Sequence, residues 1–133
     1  FLYRVGHGAG AQTPAVVLRG GQEVPAVTTE AHGSGSVSLD GNFLTVNVIY
    51  EGLQSDFTAA HIHGPAAKGT NSGVLIALSG TDLHQSETSR SGTFTGGMEV
   101  TDAAAQAIIS GEAYINIHTT GNGGGEIRGQ ITP

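Results

Sequence analysis

The stretch Phe43–Glu51, FLTVNVIYE, places an apolar or aromatic residue at every second position from Leu44 to Tyr50. That period belongs to a strand with one buried face. Leu44, Val46, Val48 and Tyr50 are expected against a core, with Thr45, Asn47 and Glu51 in water. LDGN precedes the stretch, and Asp-Gly between two alternating runs is a hairpin signal. GSVSL before the turn supplies the partner, with Val37 and Leu39 inward.

Further strands are expected in FTAAHIHG, SGVLIAL, SRSGTFTGGMEV, EAYINIHT and GEIRGQIT. The one convincing helix lies in VTDAAAQAIISGE, where Thr101 caps the start, Asp102 suits the first turn and Gly111 ends it. The sequence therefore predicts an all-β fold: an antiparallel, Greek-key-like β-sandwich with one short helix near 101–110. Composition agrees. Charged residues make up 12% of the chain and Gly contributes 22 of 133 residues, with no collagen period. Disorder is a poor fit, because it pairs low hydrophobicity with high net charge.

Charge excludes several function classes. The formal net charge is −6 with five Lys and Arg, so a nucleic-acid partner lacks its basic stripe and an anionic membrane surface is disfavoured. No apolar run is long enough to span a bilayer. With no cysteine, neither a disulfide framework nor thiolate chemistry is available. The sequence opens on Phe1 rather than Met and carries no secretion signal. The expectation is a mature chain whose signal has been removed, placing it outside the cell or on its surface.

Two parts are expected. Residues 1–14 form an arm: a strand-like piece, Phe1, Leu2, Tyr3, Arg4 and Val5, followed by the Gly-rich linker GHGAGAQTP. Residues 15–133 form the domain. The arm either packs on its own domain or adds as a strand to another subunit's sheet edge. The second option yields a homopolymer, since a head-to-tail contact need not close.

The sharpest local feature is AHIHG. Ile62 wants the core, so His61 and His63 share the opposite face, roughly 7 Å apart along the strand. In AYINIHT, Ile115 and Ile117 want the core, leaving Tyr114, Asn116 and His118 on the outer face. In GEIRGQI, Ile127 and Ile131 point inward, leaving Glu126, Arg128 and Gln130 outside. If the three strands are neighbours, His61, His63 and His118 converge as imidazole ligands for Cu(II) or Zn(II) with an open position. Asn116 and Glu126 then serve as outer-shell partners, or Glu126 and Arg128 pair as ions and order the last hairpin. The competing reading is plain polar surface. His7, His32 and His84 lie in Gly-, Ser- or Thr-rich surroundings and read as solvated loop histidines. GNGGGE lacks the Lys and helix of a phosphate loop, and no nucleophile elbow is present.

LRGGQEVPAV (18–27), AAHIHGPA (59–66), GTFTGGMEVT before the helix and AYINIHTTGNGGGEIRGQI (113–131) together resemble the CHRD domain, first described in chordin. The resemblance covers roughly residues 15 to 132. It implies an extracellular β-sandwich and no particular chemistry. Two functions are expected from this point. One is a non-enzymatic structural or interaction module that self-associates through its arm into filaments. The other is a copper-binding, redox-capable protein, its His-x-His pair being similar to the copper half of Cu/Zn superoxide dismutase.

Overall fold

A computed structural model describes residues 15–132; the arm, Phe1 to Val5 with its linker, lies outside them. The described residues form nine strands: β1 (Ala15–Arg19), β2 (His32–Asp40), β3 (Phe43–Glu51), β4 (Phe57–His63), β5 (Val74–Ala77), β6 (His84–Thr88), β7 (Ser91–Glu99), β8 (Tyr114–Thr119) and β9 (Ile127–Gln130). The single α-helix among the described residues, α1 (Asp102–Ile109), connects β7 to β8. Thr101 Oγ1 accepts the Ala104 amide at its start, as a cap should.

The strands form one curled antiparallel sheet in the order β5-β4-β8-β9-β1-β2-β3-β7-β6. β2 and β3 pair as the sequence predicts, with Val37 opposite Val46 and Leu39 opposite Leu44. All four are buried, and β3 alternates exposed and buried along its whole length. The curl brings two layers together. Ile62, Ile115 and Ile117 share one core cluster with Val46, Val48, Phe94 and the helix residues Ala105 and Ile108. The β-sandwich is thus a single sheet folded over, and β4 beside β8, β9 beside β1 and β3 beside β7 are its crossover neighbours.

The layers join where β9 meets β1, and this seam is narrow: Arg19 opposite Arg128 is its single register pair. Two devices extend it. The Gln22 side-chain amide donates to Val17 O, and its oxygen accepts from Gln130 N, so one side chain stands in for a missing peptide group. Gly129 lets the backbones close, because a Cβ there would lie 2.5 Å from Val17 O. This requirement comes from the close approach, not from backbone strain.

One expectation fails. The face bearing Tyr114, Asn116, Arg128 and Gln130 was expected to meet water, yet all four are buried. The loop at 64–73 and the segment after β1 fold over it. Alternation assigns a residue to a face and says nothing of what covers that face.

Gly129→Ala should open the seam. Overpacking against fixed backbone costs about 1–3 kcal/mol, read as a lower urea midpoint at unchanged slope. An unchanged midpoint would mean that the close approach is not required.

Candidate metal centre

β4 and β8 pair with His61 opposite Asn116 and His63 opposite Tyr114. His118, two residues beyond Asn116, is therefore the diagonal neighbour of His61 on the same face. His61 Nδ1 lies 3.2 Å from His118 Nε2. The ring centroids of His61 and His63 are 5.4 Å apart, and those of His63 and His118 are 5.8 Å apart. One ligand atom from each histidine can be chosen so that all lie within 4.8 Å of one another. The convergence expected from strand parity is present.

Backbone carbonyls set the imidazole protons. His63 Nδ1 is 3.1 Å from Ser72 O, and His118 Nδ1 is 3.0 Å from Gly123 O. A carbonyl only accepts, so both Nδ1 atoms carry hydrogen and both Nε2 atoms keep a lone pair. His63 Nε2 is buried with no hydrogen-bond partner. Burial lowers the pKa of His63 despite the Ser72 hydrogen bond, with His118, His61 and Arg128 adding to the effect. His61 is lowered by burial and then by His118. Both shifts favour the uncharged imidazole, the state that binds metal.

Zn–N bonds are about 2.0–2.1 Å, so two nitrogens on one ion sit at most about 4.2 Å apart. Small ring rotations close the remaining gap. His61 can supply them, since its imidazole has no backbone hydrogen bond among those described. His61 and His118 are only half-buried, which leaves room for water at the remaining coordination positions.

Behind the histidines lies a column of stacked groups. The His63 ring stacks on Tyr114 at 5.0 Å and 4°. The Arg128 guanidinium sits over the Tyr114 ring, 3.5 Å from its centroid. Arg128 is 1% exposed; it donates to Asn71 Oδ1 at 2.9 Å and to Thr70 O. Tyr114 Oη accepts from Ser72 N and donates to Ser72 O, the carbonyl that also holds His63. The loop over the site is thereby fastened at Thr70, Asn71 and Ser72.

The expected Glu126–Arg128 ion pair does not form. Among the described residues the ion pairs are His32–Glu51 and Arg90–Asp56. Glu126 accepts instead from Thr29 Oγ1, Gln54 N and Thr119 Oγ1, at 2.8, 2.9 and 3.0 Å. Thr119 has the parity of Ile115 and Ile117, so this carboxylate sits on the core side, away from the histidines. Gly125, at φ +122°, breaks the alternation just before it. Asn116 does stay on the histidine face, where its Nδ2 donates to Gly124 O.

The remaining histidines lie elsewhere. His32 is exposed beside Glu51. His84 is not a solvated loop residue: its Nε2 is 2.8 Å from Tyr50 Oη, and its ring stacks on Phe57 and Phe94. His7 falls outside the described residues. Sequence reasoning missed the roles of Tyr114, Ser72 and Glu23. Glu23 had one visible signal, a charged residue inside the Gly-rich GGQEVP.

A comparison with protein-family models matches the CHRD domain over residues 15–131. No curated protein and no solved structure matches the chain significantly. No helix among the described residues is long and apolar enough to cross a membrane.

Arg128→Lys should be costly despite keeping the charge, because an ammonium cannot both stack flat on Tyr114 and reach two acceptors in a fixed fork. A loss of about 1–3 kcal/mol is expected, one buried acceptor going unpaired. Faster amide exchange confined to residues 64–73 would accompany it; exchange as slow as in the unaltered protein would contradict this role.

Proposed function

Because the chain belongs to the CHRD domain family, which suggests an extracellular interaction module, we propose that it holds one divalent transition ion on His61, His63 and His118. The carrying observation is His63 Nε2: buried, without a partner, its proton fixed on the far nitrogen by Ser72, and facing two more imidazoles. An all-nitrogen site favours Cu(II) over Zn(II) by intrinsic affinity. Half-exposed ligands keep coordination positions for water, which also suits redox exchange with small molecules. Calorimetric titration with Cu(II) should give one ion per chain. His61→Ala with His118→Ala should abolish it, and unchanged affinity in that double variant would retire the site.

The pH dependence follows from the lowered pKa values. His61 and His63 take up protons only below their ordinary 6.5. Protons therefore compete poorly at neutral pH. Copper affinity should change little between pH 7.5 and 6.5 and fall steeply as pH drops further. A steep loss already between 7.5 and 6.5 would place the titrating groups elsewhere.

A second reading, self-association, is favoured by the open edges of the sheet. Among the described residues β5 pairs only with β4, and beyond Thr95 no β6 residue pairs with β7. Between these edges lies an apolar groove of about 290 Å³ lined by Leu75, Ile76, Ala77, Met98 and Val100. Phe1 to Val5 of a second copy suits it: five residues span about 17 Å, alternate side chains enter the groove, and main-chain groups complete β5. Deleting residues 1–12 should abolish large species in sedimentation. Their survival would overturn strand addition, and their loss on chelation of the intact protein would put the ion at the contact instead.

A further inference from the structure

We propose that Glu23 is a proton-binding site: its carboxyl group carries a hydrogen that it donates to Asn116 Oδ1, latching the turn after β1 to strand β8.

Glu23 is 6% exposed and Asn116 is 5% exposed. Glu23 Oε2 and Asn116 Oδ1 are both sealed from solvent, and neither has a hydrogen-bond partner. They converge on one place. A Cβ built on Gly125 would lie 2.5 Å from the first and 2.2 Å from the second, so both oxygens flank the same point. Two buried acceptors facing one another are costly, because each forfeits its hydrogen bonds to water. One hydrogen on the carboxyl satisfies both at once, since a protonated carboxyl donates and an amide oxygen accepts.

The charges around Glu23 do not replace that hydrogen. From β9, Arg128 faces it and favours the ionised form, but the guanidinium is committed to Thr70, Asn71 and Tyr114. From β8 comes the neutral Asn116. The β8–β9 loop beside Glu23 contributes Asn122, Gly124 and Gly125, none of which titrates. Burial pushes the Glu23 carboxyl up from 4.5 to about 7, outweighing Arg128 and, after it, the Asn116 side-chain hydrogen bond, both of which favour the ionised form.

The latch has an alternative resting place. A cavity of about 160 Å³ adjoins Glu23, lined also by Val24, Pro25, Val27, Asn122, Gly124 and Gly125. Protonated, the side chain stays on Asn116. Ionised, it turns into the cavity and meets water. The adjoining β8–β9 loop carries Gly123 and Gly124, whose carbonyls hold His118 and Asn116.

Linkage fixes the sign. A carboxyl with a raised folded pKa gives stability that is complete below about 4.5 and lost as pH rises to about 7. Glu23→Gln keeps a donor for Asn116 Oδ1 at every pH and should fold. Relative to that variant, the unaltered protein should lose roughly 80-fold in its folding equilibrium between pH 4.5 and 7. An infrared band of protonated carboxyl should persist at pH 6, disappear through about pH 7, and be missing in Glu23→Gln. Identical pH profiles for the two proteins, or no band at pH 6, would overturn the proposal. Should the variant not fold, carbon-13 labelling of glutamate reads the same titration in the unaltered protein. A carboxyl titrating near 7 supports the latch, and none titrating above about 5.5 refutes it.

Discussion

Arg128 must be satisfied before anything else on its face of the sheet can be. A guanidinium removed from water carries several N–H donors, and leaving them unpaired costs more than one domain's margin easily absorbs. Its strand partners cannot meet that need, because their backbone groups already form the ladder. The acceptors come from the loop at Thr70 and Asn71, and the flat surface comes from Tyr114. Once the loop is drawn in, Ser72 O lies where His63 and Tyr114 can both reach it. The orientation of His63 thus derives from a charge two side chains away. Three histidines on a bare strand would point in many directions; here two of the three are pinned by backbone.

Much of this was legible in the sequence. Period-two patterning placed β2, β3, β4 and β8, and the capping signals placed α1, because each feature depends on neighbours close in the chain. The histidine cluster was legible for a related reason. Ile62, Ile115 and Ile117 are unambiguous core residues, so parity put His61, His63 and His118 on one side. Only the adjacency of β4 and β8 had to be supplied by the fold.

What could not be read depends on long-range cover. Nothing in GEIRGQI distinguishes a strand facing water from one facing a folded-back loop, and so Arg128 and Gln130 were expected outside. Glu126 was misplaced for a local reason: a glycine at positive φ resets the alternation, and a glycine-rich stretch does not reveal which of its members does so. His84 was misread because its partners, Tyr50, Phe57 and Phe94, come from three other strands.

The seam between β9 and β1 has a consequence for the order in which the molecule can form. β2, β3 and their turn can pair early, and so can β4 with β5, since their contacts are local. β9 is different. It is the last strand in sequence among the described residues, yet it sits mid-sheet, between β8 and β1. Until it arrives the sheet is two separate pieces, with the inward faces of β8 and β1 unpaired and the core open between them. Folding therefore finishes in one late, long-range step. A chain emerging N-terminus first leaves this domain unlocked until β9 itself has emerged.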